Sequence, residues 1–494
     1  LLKPIFDSTN DRMAIQLQNF VQWGLAKAAE GDWHAAQHSY DQALWINPRY
    51  VDAYMARGMN YLQKGDFDQA LADFNQVLQL EPMLSAGYYN RGCTYYAQQQ
   101  VELSLDDFRQ AISLDSQFLP AHQKLVEVLN STGRYPEAIL AYRDWLSIVG
   151  ESAEIYHNLA IAYRHSGQLS EAAQCFQIAL KIDPEYIPAR EEMLLLYREN
   201  IQSWHYWMMN DTARNLPYQE AIARYVTSET LVLEIGTGSG LLAMMAAKAG
   251  AKQVITCESE DLIAAQAKQI IKTNGYQVQI QVINKLSHDL VIPHDLPEPA
   301  DILITEIFGA WLPSEGAFDA ITHATKHLLK PNAKVIPSGA NLYLMAIECS
   351  ELHQRYWVDQ SLGFDLTGFN EFQYPRPAFM GQIDQHIYRP LSDSYCFAQL
   401  DFGSGQMKLT DQVVDVPVVA DGRLHGVCTW FDLLIDDTVM LTTGPLGDVG
   451  RRSRSWGQLT AMIFPSLCVK NDEILKLQLL PSLNMVEVIA QIQT

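Results

Sequence analysis

Leu231-Val232-Leu233-Glu234-Ile235 runs directly into Gly236-Thr237-Gly238-Ser239-Gly240. An apolar run of strand length ending in alternating glycines lets a ligand approach bare backbone, because nothing projects from those positions. A second apolar run, Gln253-Val254-Ile255-Thr256-Cys257, ends at the carboxylate of Glu258. An acid there suits ribose hydroxyls, so the two runs together read as a nucleoside pocket. Working outward, 280–284 and 301–305 read as further strands, and 241–249, 262–273 and 318–329 as helices. Strands alternating with helices predict a doubly wound, Rossmann-like α/β unit.

The glycines are not the dinucleotide fingerprint, which would need a glycine at 241, where Leu241 stands. Their spacing suits S-adenosylmethionine; another nucleotide or a structural turn are the open alternatives, and Glu258 could be a plain surface acid. The 301–305 run delivers Glu306, and Glu315 follows after the loop Ile307-Phe308-Gly309-Ala310-Trp311-Leu312-Pro313-Ser314. Ligands sit at the carboxyl ends of such strands. Two acids brought together repel, and one holds a proton, unless a planar guanidinium lies between them. The alternative makes Glu315 a first-turn acid of the helix at 316–329. Upstream, Trp204-His205-Tyr206-Trp207-Met208-Met209-Asn210-Asp211-Thr212-Ala213-Arg214-Asn215 reads as one amphipathic helix. It is either a linker or a lid, with Arg214 free to fork onto a ligand carboxylate.

The N-terminal part has another rhythm. Gly31, Gly65, Gln99, Gly133 and Gly167 lie 34 residues apart, with Ala36, Ala70, Ser104, Ala138 and Ala172 five beyond each. Pro48, Pro82 and Pro184 close three of the units. This period of paired helices is the tetratricopeptide signature and predicts about five stacked hairpins over 14–190, a solenoid domain at 1–198. Its concave face is expected to take a protein partner, and no basic or aromatic stripe is assigned on it. Residues 199–337 then form the Rossmann-like domain with its lid helix. Lys330-Pro331-Asn332 reads as a turn, and 338–494 alternate as antiparallel strands of a sandwich or barrel.

Fifty-seven acidic against 35 basic residues give a net charge of -22, which repels nucleic acid and favours basic partners. A local patch at Arg451, Arg452 and Arg454 is the exception considered. Seven scattered cysteines without C-x-x-C spacing point to a reducing compartment, the cytoplasm with the nucleus as a second location, and to no metal site. No apolar run reaches the length of a membrane span. The chain opens at Leu1 and reads as a trimmed or incompletely covered protein.

Several ordered motifs carry a resemblance. Met208–Arg214, Gly236–Gly240, Glu258, the loop from Glu306 to Glu315, Pro337-Ser338-Gly339-Ala340, Leu362–Leu366, Trp430-Phe431, Leu441–Pro445 and Ser455-Trp456 resemble the protein arginine methyltransferase family over about residues 200–494. With its repeat array the chain is similar in arrangement to the family's nine-type member, with room for one catalytic module. The resemblance implies S-adenosyl-L-methionine as cofactor and methyl transfer to arginine of a protein substrate. It implies that Glu306 and Glu315 grip the guanidinium, with His205 near the substrate entrance and Trp456 beside the channel. It implies that Arg214 holds the cofactor carboxylate and Glu258 the ribose. Further cofactor contacts are implied at Met208, Glu234, Gly236, Thr237, Gly238, Gly240, Ser259, Ser287 and His288. A projecting arm at about 366–392 implies a homodimer; an ordinary barrel loop is the alternative. Ser455, His288 and Ala317 depart from the family's usual histidine, acid and methionine. They support the competing reading, a weak or inactive scaffold that recruits partners. A small-molecule or nucleic-acid methyltransferase is the third reading, and no N/D-P-P-Y/F run follows the fourth strand to favour base methylation.

Overall fold

The computed structural model describes residues 7–372, 377–405, 407–446, 452–482 and 484–493. The chain divides into two compact units between residues 197 and 198.

The first unit pairs α1 (Asp7–Ala29) with α2 (Trp33–Ile46), α3 (Val51–Lys64) with α4 (Phe67–Leu80) and α5 (Ser85–Ala97) with α6 (Val101–Leu114). It continues with α7 (Leu119–Ser131) and α8 (Tyr135–Val149), α9 (Ala153–His165) and α10 (Leu169–Ile182), then α11 (Ile187–Asn200). The small residues at 36, 70, 104, 138 and 172 are all buried. In the first three hairpins a ring fills a glycine notch, at Gly24, Gly58 and Gly92. A Cβ at Gly58 would lie 2.7 Å from the Phe74 ring, and one at Gly92 2.9 Å from Phe108. Tyr40, Phe74, Phe108, Tyr142 and Phe176 repeat this buried ring. Two equivalent arginines recur 34 residues apart in the array. Arg57 bonds Asp73 and Asp41 between the Tyr54 and Tyr61 rings. Arg91 repeats it with Asp107, Asn75, Tyr88 and Tyr95.

In the second unit, α12 (Trp204–Asn210) and α13 (Thr212–Tyr225) precede β1 (Leu231–Ile235), α14 (Leu241–Lys248), β2 (Gln253–Glu258), α15 (Asp261–Thr273), β3 (Ile280–Asn284), β4 (Ala300–Thr305), α16 (Ala317–His327) and β5 (Leu329–Ile336). The parallel sheet has the order β3-β2-β1-β4-β5. The expected turn at Lys330-Pro331-Asn332 lies inside β5. The ladder shifts from Ala300↔Leu329 to Ile302↔Lys334, and Asn332 takes a φ of 62°, so the turn residues form a bulge without ending the strand.

After β6 (Gly339–Glu348) and α17 (Ser350–Tyr356) come β7 (Gln360–Ser361), β8 (Phe364–Asp365), β9 (Ala378–Gly381), β10 (Arg389–Pro390) and β11 (Tyr395–Asp401). The chain ends with β12 (Gln412–Pro417), β13 (Gly422–Leu434), β14 (Met440–Thr442), β15 (Gln458–Val469), β16 (Ile474–Pro481) and β17 (Val486–Ile492). These strands form a seven-stranded sheet on the path β10-β6-β13-β15-β9 and a three-stranded sheet β12-β16-β17. One apolar core joins them to the Rossmann-like part, from Leu233 and Ile304 through Phe431 to Leu477.

The expected arm at 366–392 is only partly free. β9 pairs with β15 and β10 with β6, so its second half belongs to the main sheet. Its exposed part is the short 3-10 turn Thr367–Phe372, and the exposed β7–β8 hairpin lies just before the expected arm. Pro375 and Arg376, also expected in the arm, lie outside the described residues. So does Arg451 of the considered basic patch. Arg452 is buried and paired with Asp384, which removes it from any surface patch. No helix among the described residues is long and apolar enough to cross a membrane.

Candidate active site

The carboxyl ends of β3, β2, β1 and β4 stand side by side and present, in that order, the 287–289 turn, Glu258, the glycine loop and Glu306. Gly236, Gly238 and Gly240 take φ of 85°, 51° and 80°, a region costly for other residues. A Cβ at Gly236 would also lie 2.5 Å from Ile307 Cγ2. Gly236 N–H and Thr237 N–H donate to the Cys257 carbonyl at 3.0 and 3.1 Å. Gly238 N–H donates to Glu258 Oε2 and Glu260 N–H to Oε1, both at 3.1 Å, so Glu258 faces the loop from the end of β2.

Glu234 is turned inward. It accepts from Ala243 N–H at 3.1 Å and from the Thr256 hydroxyl, which braces the start of α14. Burial pushes its carboxyl up to about 8, against the pull of those two hydrogen bonds. The Thr237 hydroxyl shares a 2.6 Å hydrogen bond with Thr256. Ser259 is exposed and its carbonyl accepts from Asn284 at 3.1 Å. Ser287 is buried in the short turn after β3. Beside it, His288 meets His323 of α16 at 4.8 Å, and His323 meets His327 at 5.0 Å. Burial holds the His323 imidazole below its usual range, and its two imidazole neighbours add to that. His323 and His327 were missed; their four-residue spacing on a helix was the available signal.

The single helix expected over 204–215 is two, broken at Asp211. Asp211 caps α13 by accepting from Arg214 N–H at 3.1 Å. Its other oxygen accepts from the Ser453 and Ser455 hydroxyls at 2.6 and 2.7 Å and from Arg454 N–H and Ser455 N–H at 3.1 Å each. Burial raises this carboxyl, but the hydrogen bonds win and hold it below the usual range. Asp211 too was missed, although an aspartate at a helix joint is a capping signal. Ser455, expected as a departure, supplies one of the two hydroxyls that bind it. On α12, His205 stacks on Trp204 at 3.8 Å and burial lowers its imidazole. Tyr206 and Trp207 are exposed. The Met208 carbonyl accepts from Asp211 N–H at 3.2 Å.

Arg214 is not free, as expected from sequence, but ion-paired through Nη2 with Glu306 Oε2, both side chains almost fully buried. Arg214 Nη1 donates to Asn215 at 2.7 Å. Arg214 Nε and Glu306 Oε1 are buried without hydrogen-bond partners. Burial pushes Glu306 up to about 7 against the Arg214 charge, and Glu315 adds to the rise. Glu315 itself is raised by burial. It has a φ of 63° in the turn Ser314–Gly316, and α16 starts only at Ala317, so it belongs to the loop and not to the helix's first turn. A Cβ on Gly309 would lie 2.1 Å from Ser314 Oγ, which is why the loop can close so tightly. Trp456 is buried. Its indole N–H donates to the Phe308 carbonyl at 2.6 Å, and its ring lies 5.8 Å from the Arg214 guanidinium. It therefore holds the acid loop. Ala317 is fully buried at the start of α16.

A parallel sheet whose carboxyl ends gather a glycine loop and three acids beside a buried arginine is the arrangement of a nucleoside-dependent methyltransferase. Accordingly, residues 218–353 match the family described as ribosomal protein L11 methyltransferase (PrmA). Residues 58–99, 85–118 and 153–186 match tetratricopeptide repeat families. An arginine N(omega)-methyltransferase of Streptomyces achromogenes subsp. streptozoticus is 31% identical over 63% of this chain and 85% of its own length. Protein arginine N-methyltransferase 9 of Mus musculus is 29% identical over 65% of this chain and 42% of its own length, so the chain spans less than half of that relative. Among solved structures, the Trypanosoma brucei PRMT1 enzyme-prozyme heterotetrameric complex with AdoHcy shares the fold, with a TM-score of 0.50 at 22% identity over 59% of this chain and 97% of that one. The chain belongs to the protein arginine methyltransferase family.

Proposed function

We propose that this protein transfers a methyl group from S-adenosylmethionine to a guanidino nitrogen of arginine in a protein substrate. The observation that carries the reading is the Arg214–Glu306 pair, a buried cation and anion each keeping one polar atom without a partner. Such atoms are costly unless a ligand completes them. Arg214 Nε suits the cofactor's carboxylate, Glu306 Oε1 suits the substrate's guanidinium, and the residues present fit both groups. Glu258 would hold the ribose, and the 287–289 turn would meet the base. Bound S-adenosylmethionine supplies the electrophilic methyl carbon.

A guanidinium is a poor nucleophile because its lone pairs are delocalised. Glu306 and Glu315 would localise its positive charge on the nitrogens they touch and aim the remaining nitrogen, so that positioning and preorganised charge do most of the work. Glu306, pushed up to about 7, is also suited to take the proton that the methylated group sheds.

The acidic chain and its repeat array support recruitment of basic protein substrates, and the exposed β7–β8 segment supports pairing with a second copy. The relatives' names and the complete set of Arg214, Glu258, Glu306 and Glu315 favour an enzyme over a scaffold. Incubation of arginine-rich peptides with isotope-labelled cofactor, followed by mass spectrometry, tests the reading. Label on arginine supports it; cofactor binding with no label on any peptide or protein returns the scaffold. Deleting residues 1–190 should spare cofactor binding and peptide methylation while weakening methylation of whole proteins.

A further inference from the structure

The loop that carries Trp456 is itself held, by a residue with no place in the reading above. Gln382 follows β9, where the chain re-enters the main sheet after the exposed segment. Its Nε2 donates to the Trp456 carbonyl at 2.8 Å and to the Arg454 carbonyl at 3.1 Å. Its Oε1 accepts from Arg452 Nη2 at 2.9 Å and from Gln458 Nε2 at 3.4 Å. The orientation of this amide is fixed by chemistry, since an arginine cannot accept and a carbonyl cannot donate. Arg452 is in turn anchored on Asp384 at 2.9 Å, and Gln458 donates to the Thr443 carbonyl at 2.6 Å. Gln382 therefore has its donors and its acceptor in use, and all of them serve one loop. On the far side of that loop the Trp456 indole holds Phe308, two residues past Glu306. Ser453 and Ser455 hold Asp211 at the joint of the lid helices.

We propose that Gln382 is a positioning residue for methyl transfer: through the 453–456 loop and the Trp456 indole it sets the acid loop that carries Glu306 and Glu315. It touches neither ligand. This rests on the arginine-methylating reading of the site. The effect is transmitted by one hydrogen bond, from the Trp456 indole to the Phe308 carbonyl. Removing Gln382 and removing that bond must then be one lesion and not two.

The test is a cycle of Gln382→Ala, Trp456→Phe and the double variant. Turnover of an arginine peptide and amide hydrogen exchange over residues 306–315 are both followed. Each single variant should lower kcat roughly tenfold or more with the cofactor KM changed less than about threefold, and exchange over 306–315 should rise. The double variant should be no worse than the poorer single one. Gln382→Glu, which places an oxygen against two carbonyls, should match or exceed the alanine variant. Losses that multiply in the double variant, or an unchanged exchange rate over 306–315 in Gln382→Ala, overturn the proposal. If Gln382→Ala fails to fold, the same comparison is made with Gln382→Met, which keeps the side-chain length and loses the amide's donors. A wild-type protein that methylates no arginine sinks the functional reading instead. The exchange cycle still decides on Gln382 in that case.

Discussion

Arg214 and Glu306 form an ion pair almost wholly out of water, and each leaves one polar atom without a partner. Breaking such a pair by removing one member usually costs about 3–5 kcal/mol, because the remaining charge stays buried. On the proposed reading the pair would join two jobs, the arginine serving the cofactor and the glutamate the substrate.

Glu306→Gln should therefore separate the two. The amide keeps the shape and one acceptor for Arg214 but no longer balances a substrate cation. Methyl transfer should fall to near background while cofactor affinity, measured by calorimetry, stays within a few fold. An equal loss of both would reject the division of labour.

The same carboxyl sets a pH dependence. Burial pushes Glu306 from the ordinary 4.5 up to about 7. Only its ionised form balances a guanidinium, so kcat/KM for an arginine peptide should rise with pH through about 7 and level off above. The stability sign is opposite. Between 4.5 and 7 the folded chain keeps a proton that the unfolded chain releases, so Glu306 contributes less stability as pH rises through that window. Paired profiles of kcat/KM and thermal midpoint check both signs, and two curves rising together from pH 5 to 7 would refute the assignment.

Asp211→Asn should loosen the lid joint. One oxygen of Asp211 accepts from two hydroxyls and two backbone N–H groups. The carboxylate uses its second oxygen to accept from Arg214 N–H, and an amide has only one oxygen, so one of the two sets of donors meets an NH2 and the charge is gone, a loss of roughly 1–3 kcal/mol. Asp211 is held below its usual range, so the wild-type contribution is present near neutrality and lost as pH falls through the acid range. The variant's deficit in thermal midpoint should accordingly shrink toward pH 3. A deficit independent of pH would show that the charge is not what matters.

How much of this was legible in the chain depends on how local each signal is. The 34-residue period and the strand–glycine–acid order are local patterns, and the array, the parallel sheet and the strand-end positions of Glu258 and Glu306 followed from them, whereas Glu315 could equally be read as a first-turn acid of the next helix. The Asp211 joint was hidden because its partners, Ser453 and Ser455, are more than 240 residues away. Gln382 was hidden for the same reason. Arg214 could not be read as paired, since a side chain on a helix before β1 gives no sign that it reaches an acid after β4. The arm was drawn too long because β9 and β10 are four and two residues, too short to show alternation.

Gly92→Leu tests the array's packing. A Cβ at Gly92 would come within 2.9 Å of the Phe108 ring and 3.1 Å of the Asp107 Cβ, both fully or nearly buried. A leucine there must displace the ring, and overpacking of this kind costs typically about 1–3 kcal/mol. Chemical denaturation of residues 1–198 should show that loss, and Gly92→Leu combined with Phe108→Ala should recover part of it. No recovery would mean that the glycine serves the helix and not the ring.

The exposed hairpin gives the last test. Leu362, Phe364, Phe369 and Phe372 are 95%, 71%, 70% and 79% exposed, and the last two rings lie 5.5 Å apart. Large apolar side chains gathered in one short exposed segment suit a surface that another chain covers. If that chain is a second copy, Phe369→Ser with Phe372→Ser should turn a dimer into a monomer in sedimentation velocity, with the thermal midpoint of the monomer little changed because neither ring is buried. Activity should fall with the dimer if pairing orders the lid and acid loop, and stay if it does not. A wild-type protein that sediments as a monomer at micromolar concentration would assign the patch to a different partner.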